Sequence, residues 1–384
     1  VSRAGKPLEG IRVLTLEQFG AGPYGTMFLA ELGAEVIKIE APQGGDPSRQ
    51  VGPHKLGEND SEYFQAWNLG KKSVALDMKS EEGRRQFEAL VRGADCVVNN
   101  MRGTQPAKLG IDYASLKHLK PSIVCLHISA YGRDNERKDW PGYDFLMQAE
   151  AGLMELTGEP DGPPTRVGVS MIDSMSGLTG IVGLLSCLLR ARTTGQGCDV
   201  DTCLYDVAMH QLTYPGLWYL NEGDVSPRVP RSAHLSLAPV QTFPTKGRLD
   251  LHHVHDAEIL AEPVSESSGR GDLVADPRFP DPNTRAKNRA SMSAELDVTF
   301  RTRTTAEWLA AMNGLLPAAP VYRLDQALDS DFARGTRMVS AVPHPAKGEL
   351  RVLANPLRID GERLAQSACS PLGADNDTLL GKPS

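Results

Sequence analysis

The start of the chain constrains it most. Ile11–Leu16 (IRVLTL) is a short apolar run ending in a glycine turn, FGAGPYG; Thr26–Leu32 follows with helical spacing, and Glu35–Glu40 (EVIKIE) is a second strand-like run. Two such strands joined through one helix lie parallel, because a parallel pair needs a long crossover. The pattern recurs at Val74–Leu76, Cys96–Val98 and Ile123–Ile128, with helical stretches such as Glu81–Arg92 between them. Repetition of the unit predicts a parallel sheet covered by helices. A long apolar helix is expected over Ser174–Arg192, stopped at Thr194-Gly195-Gln196-Gly197, with strand and then helix from Val200.

After Tyr219 the character changes. Gly223–Pro230 and Val240–Arg248 read as a linker into a smaller domain whose clearest helix is Thr305–Asn313, and from about Leu324 short helices and strands return. The expected division is a large domain over 1–220, a small domain over 221–325 and a return of the large domain over 326–384, which a chain of 384 residues has room for. The 41 basic and 48 acidic side chains give a net charge of -7 without blocks of one sign, which argues against nucleic acid and membrane surfaces as partners. Six cysteines without a CxxC pair fit a reducing compartment. The opening VSRAGKPLEG has no apolar core, and the run Leu178–Leu189 is too short to span a bilayer, so a soluble cytoplasmic protein is expected.

Two places carry candidate chemistry. Gly20-x-Gly22-x-x-Gly25 follows a strand and opens a helix, and Glu40 lies twenty residues beyond Gly20 at the end of the next strand. Taken alone this meets the dinucleotide fingerprint, in which a pyrophosphate sits on the helix N-terminus and the acid binds a ribose hydroxyl. The same glycines also suit phosphate or pantetheine contact, or merely tight packing of strand on helix, and the three readings stay open. The second place is Asp173, between the apolar Val167–Ile172 and the long helix. Its local reading is an N-cap, since Asp is a favoured cap; a catalytic carboxylate is the alternative.

Longer runs carry a resemblance. LEQFGAGPYGTMFLAELGAEVIKIEAPQGGDPSR, YFQAWNLGKKSVALDMKSEEGRRQFEALVRGADCVVNN, AKLGIDYASLKHLKPSIV and the stretch GYDFLMQAEAG to TGQGCDVD resemble, in order, the class III (formyl-CoA/carnitine type) CoA-transferase family. The similarity covers nearly all of residues 8–210 and resumes at Asp276–Phe279, Leu315–Tyr322 and Ser370–Leu380. It implies a doubly wound, Rossmann-like α/β fold with an inserted smaller α+β domain, and a homodimer of interlocked subunits. It implies Asp173 as the nucleophile, with Tyr143, Asp144 and Gly20 beside it. Coenzyme A contacts carry over to Ala21, Leu76, Asp77, Met78, Lys79, Asn100, Met101 and Lys108, with coenzyme A a substrate and no cofactor or metal required. Lys108 stands where arginine is common, which keeps the charge and loses the bidentate fork. Arg231 and His234 are candidates for a distal carboxylate of a dicarboxylic acid such as succinate. Gly20 replaces the glutamine of formyl-CoA transferases, so formyl-CoA and oxalate are disfavoured. The racemase branch of the family has histidine where this chain has Tyr143, and a tyrosine of pKa about 10 is a poor base at neutral pH, so transfer is preferred to racemisation. An idle CoA-binding subunit of a heteromeric transferase is the other alternative.

One segment departs from that pattern. Gly247–Gly269 (GRLDLHHVHDAEILAEPVSESSG) shows neither the β run nor the amphipathic helix expected there. His252, His253 and His255 beside Asp256 suggest a metal, but a polar HHxHD run supplies no rigid second shell, and no metal site is expected. Back-translated and shifted by one base, the stretch reads GWIFIMCMTQKFW, the apolar strand and helix start that the pattern asks for. Compensating frame shifts are therefore expected in its coding sequence.

Overall fold

The computed structural model describes residues 5–247, 250–253, 270–273, 275–312 and 317–381. Six strands form the main sheet: β1 (Arg12–Leu16), β2 (Glu35–Glu40), β3 (Lys72–Ala75), β4 (Cys96–Asn99), β5 (Val124–Ser129) and β6 (Cys198–Cys203). All neighbours are parallel, in the order β3-β2-β1-β4-β5-β6. That order reverses direction between β1 and β4, and open α/β sheets bind ligands in the crevice at such a switch point, outside the carboxyl ends of the strands. The central strands are buried along their length, as a sheet covered on both faces requires. One side of the core gathers Leu14, Ile37, Val74, Val97 and Cys125 with Phe87 and Val91 of α2 (Glu81–Arg92).

Helix α1 (Ala21–Glu31) follows β1, α3 (Asp144–Glu150) follows β5 at a distance, and α4 (Met171–Thr194) precedes β6. The 24 residues of α4 exceed the apolar run read from sequence, and by length and composition alone the helix could cross a membrane. It is instead a core helix: Ile172, Ser176, Gly180, Ile181, Leu184, Leu188 and Ala191 form one buried stripe, and it packs on α1, β5 and β6. Gly195 closes it at φ 71°. α1 and α4 meet backbone to backbone. A methyl group on Gly25 would stand 2.7 Å from the Gly177 carbonyl oxygen, and one on Gly177 would stand 2.5 Å from that of Ala21.

The chain divides into two compact units, Val1–Ala151 with Val167–Leu212 and Ala333–Ser384, and Gly152–Arg166 with Thr213–Phe332. The second unit has an antiparallel sheet of β7 (Gln241–Pro244), β8 (Asp250–His253) and β9 (Ala318–Pro320). Its core is aromatic, with Phe243 against Phe300, Phe300 against Trp308, and the Trp308 indole N–H donating to the Phe300 carbonyl at 2.8 Å. Two expectations are corrected here. Val240–Arg248 contains a strand rather than only linker, and Asp250–His253 supplies a β run inside the segment expected to have none. Backbone pairing on both sides recruits β8 despite its polar sequence. The remainder of that segment, with His255, Asp256 and the expected helix start, lies outside the described residues.

Candidate active site

Asp173 is not an N-cap. The cap position of α4 is Ser170, and Asp173 lies inside the first turn, so its carboxylate does not close the helix that carries it. Asp144, the first residue of α3 and buried, does part of that work: its Oδ2 accepts the Asp173 backbone N–H at 2.9 Å. The other oxygen of Asp144 accepts from Gln148 Nε2 at 2.5 Å, and Gln148 Oε1 in turn accepts the Val167 N–H at 3.0 Å. A buried chain of side chains thus fixes both the approach to α4 and the position of Asp173.

Among the described residues no group donates a hydrogen bond to the Asp173 carboxylate. Burial first, and then the negative charge of Asp144, push its pKa up to about 7. An adjacent helix N-terminus returns roughly 0.3–1 kcal/mol to the anion, too little to cancel a shift of this size. Gly20 faces it: any side chain there would overlap the Asp173 carboxylate. The first glycine of the turn therefore gives room to a carboxylate, Gly22 fits against Glu17 and Asn100, and Gly25 serves the packing of α1 on α4.

Tyr143 caps α3 by position without a side-chain hydrogen bond and is 55% exposed. Its ring meets Phe19 edge-on at 6.5 Å and stacks with Phe145 at 6.5 Å. Tyr63 was not singled out from sequence. Burial and then the charges of Asp173 and Asp46 raise the pKa of its phenol, which puts it in the electrostatic neighbourhood of the carboxylate. The YFQAW run holds it, but helical spacing gives no link to a residue more than a hundred positions away.

A cleft of 560 Å³ opens at the carboxyl ends of β1–β4 and brings together Leu76, Asp77, Met78, Lys79, Asn100 and Met101. Ala21 begins α1 and does not line it, and Lys108 lines a separate cleft of 730 Å³ with Arg133 and Asp201. Glu40 reaches the first cleft but has no oxygen to spare. Its carboxylate takes two 2.7 Å hydrogen bonds from Arg49, one from Ser73 Oγ at 2.7 Å and one from the Asp46 N–H at 3.0 Å. Burial opposes its charge, yet Arg49 and Lys38 prevail and hold the pKa at about 2. The dinucleotide reading of the turn fails on this residue, because an acid so engaged cannot bind a ribose.

Arg231 and His234 belong to the second unit. The Arg231 guanidinium pairs with Asp297 at 2.6 Å and lies over Phe243, while His234 stacks on Tyr214 and accepts the N–H groups of Ser236 and Leu237 at Nδ1. Among the described residues no cluster of three or more His, Cys, Asp or Glu could hold a metal.

A parallel sheet with its switch point at a cleft, and a carboxylate on a helix against a glycine with no donor among the described residues, suit nucleophilic chemistry on a bound ligand. Residues 8–376 match CoA-transferase family III. The chain belongs to that family. The succinate–glutarate CoA-transferase of Agrobacterium fabrum is 33% identical to it over 86% of this chain and 84% of its own length. The succinyl-CoA:mesaconate CoA-transferase of Haloarcula hispanica is 32% identical over 95% of this chain and 93% of its own length. A CAIB/BAIF family protein from Brucella suis superposes with TM-score 0.83 at 31% identity, covering 98% of this chain and 99% of that one. The Mycobacterium tuberculosis protein Rv3272 superposes with TM-score 0.85 at 28% identity over 98% and 99% of the two chains. This protein is thus a class III CoA-transferase, whose substrates are an acyl-CoA and a carboxylic acid.

Proposed function

We propose that the enzyme moves coenzyme A reversibly between an acyl-CoA and a dicarboxylic acid, with succinyl-CoA as a donor and Asp173 as the nucleophile. The Asp173 carboxylate attacks the thioester carbonyl, the C–S bond breaks, and a mixed anhydride and CoA thiolate form. The thiolate then attacks the aspartyl carbonyl of the anhydride, releasing the donor acid and leaving an aspartyl–CoA thioester. The acceptor carboxylate attacks that thioester, forming a second anhydride and free thiolate. Attack of the thiolate on the acceptor's acyl carbonyl gives the new acyl-CoA and restores Asp173. Proton and electron balance close without a cofactor.

The observation that carries this reading is the donor-free, half-buried carboxyl of Asp173 at a pKa of about 7. Nucleophilicity falls when hydrogen bonds occupy an anion's lone pairs, and none from the described residues occupies these. The N–H groups of Ala21 and Gly22, in the first turn of α1, lack helical partners and are the available donors for a developing oxyanion. Coenzyme A lies in this reading along Leu76, Asp77, Met78, Lys79, Asn100 and Met101, and Lys108, which lines the separate cleft, is not among its contacts. The dicarboxylate preference draws on the Agrobacterium and Haloarcula relatives. Arg231, paired with Asp297 in the structure, and His234 remain the candidates for a distal carboxylate. An interlocked homodimer is supported by the helix Thr213–Glu222, which has no buried residue and exposes Leu217, Tyr219 and Leu220.

The test is incubation with a panel of acyl-CoA donors and mono- and dicarboxylic acids, followed by borohydride or hydroxylamine trapping and mass spectrometry of the peptide holding Asp173. An adduct at Asp173 with succinyl-CoA is expected. An active donor that leaves this peptide unmodified overturns the mechanism.

A further inference from the structure

From the end of β1 into the first turn of α1, the backbone of Glu17–Pro23 is held by side chains from four other places. The Glu17 carbonyl accepts from Lys38 Nζ at 2.8 Å. Asn100 brackets Gln18, accepting its N–H at 2.9 Å and donating to its carbonyl at 2.7 Å. Asp46 Oδ1 accepts the Phe19 N–H at 3.4 Å, and Asp46 Oδ2 pairs with Lys38 at 2.9 Å. Lys71 Nζ donates to the Pro23 carbonyl at 2.9 Å and to the Glu17 carboxylate at 2.8 Å, which also takes the Thr26 hydroxyl at 2.6 Å. The side chains of Glu17, Lys38, Asp46 and Lys71 are wholly shielded from water.

Such a set is expensive. Burial pulls Lys71 down to about 8 even with Glu17 beside it, and one oxygen of Glu17 has no hydrogen-bond partner. Buried ion pairs give little net stability over apolar replacements, so stability is a poor explanation for two of them under one turn. The turn itself supplies a better one. Phe19 sits at φ 60°, a left-handed conformation that bulky side chains avoid, and the next residue is the glycine against Asp173.

We infer that Lys38, Asp46, Lys71 and Asn100 are positioning residues, which clamp the strained turn so that Gly20 and the first N–H groups of α1 stay registered on the Asp173 carboxylate. They act through the backbone and do not touch the reacting atoms. Asn100 has this role in addition to any contact with coenzyme A, since both ends of its amide are engaged by Gln18. The inference rests on Asp173 being the nucleophile.

The experiment uses the full-length enzyme. The double substitution Glu17→Gln with Lys71→Met removes an ammonium and its counter-charge together, leaving no orphaned ion. Expected are a Kd for coenzyme A within threefold of wild type by calorimetry, and kcat and the rate of Asp173 adduct formation both lowered about 30- to 100-fold, the scale of a small misplacement at a reacting centre. Wild-type kcat in the folded double variant overturns the inference. If near-ultraviolet circular dichroism shows that variant to be misfolded, Asp46 decides in a Lys38→Met background, where no buried cation is orphaned: Asp46→Ala lowers kcat and Asp46→Asn, which keeps an acceptor for the Phe19 N–H, restores most of the difference. Equal activity of those two overturns the inference. Asp173→Ala run alongside separates the layers, since an active Asp173→Ala removes the reading beneath, while an inactive one with a fully active clamp variant removes the clamp alone.

Discussion

Glu40 and Asp173 are two acids close to the carboxyl edge of the same sheet, with opposite surroundings. Glu40 accepts four hydrogen bonds and sits in the charge of Arg49 and Lys38, at a pKa of about 2. Asp173 accepts none from the described residues, faces a glycine, has Asp144 as its charged neighbour, and titrates at about 7. The described residues satisfy one carboxylate completely and give the other no donor. An acid whose lone pairs are all taken builds structure, and the one held in place with its lone pairs free is the one proposed to do chemistry.

The largest expected effect tests that contrast at its reactive end. Asp173→Ala removes the only group proposed to form covalent intermediates, and transfer falls at least 1,000-fold, or about 4 kcal/mol in the transition state. The affinity for coenzyme A is expected to hold, because the contacts proposed at Leu76–Lys79 and Met101 are untouched. Steady-state rates with succinyl-CoA, paired with calorimetry, read both; a residual rate above a hundredth of wild type breaks the comparison.

At the satisfied end, Glu40→Gln leaves the wholly buried Arg49 without its counter-charge and costs about 3–5 kcal/mol of stability. The measurement is the urea midpoint. The sign with pH follows from the depressed pKa: stability from Glu40 is present above about 4.5 and lost as the pH falls toward 2. The variant should therefore lose most against wild type at neutral pH, with the gap closing in acid.

This pair also marks what was legible beforehand. Strands β1, β2, β4 and β5 of the main sheet were readable because each is a short, largely apolar run between turns, whereas the order of strands in the sheet was not read. Local sequence left the roles of Glu40 and Asp173 open. Glu40 matched a ribose-binding position by spacing alone, because Arg49 and Ser73, which consume it, come from a loop and a neighbouring strand that spacing cannot join. Asp173 matched an N-cap because the helix was read as starting three residues late; Ser170 has the cap, and Asp144, 29 residues earlier, supplies the acceptor. Tyr63 was invisible for the same reason. The strand Asp250–His253 went unread since its sequence is polar and its place in the sheet comes from backbone pairing on both sides.

A smaller effect concerns the cost of an unsatisfied acid. Because the folded pKa of Asp173 is raised, its stability contribution is whole below about 4 and is lost as the pH rises through 7. Asp173→Asn, with no charge to bury, should match wild type near pH 4 and exceed it by about 2–4 kcal/mol at pH 8. Denaturant midpoints at the two pH values give the difference. A variant less stable than wild type at pH 8 means the carboxylate is better satisfied than its neighbours indicate.

The smallest effect isolates Asp144. Asp144→Asn keeps an oxygen for the Asp173 N–H, and Gln148 can turn its own oxygen toward the new amide by giving up the Val167 N–H, so the start of α4 holds its shape while one negative charge disappears. Asp144 is the second cause of the raised pKa after burial, so the Asp173 pKa falls part of the way and stays above an ordinary aspartate. Since the nucleophile must be ionised, kcat/KM in wild type drops about tenfold per unit below pH 7. In the variant that acid limb moves to lower pH, and at pH 6 the ratio of variant to wild-type kcat/KM is larger than at pH 8 by a factor of less than ten. A limb that stays in place would assign the shift to burial alone, and the contrast with Glu40 would then rest on missing donors rather than on the neighbouring charge.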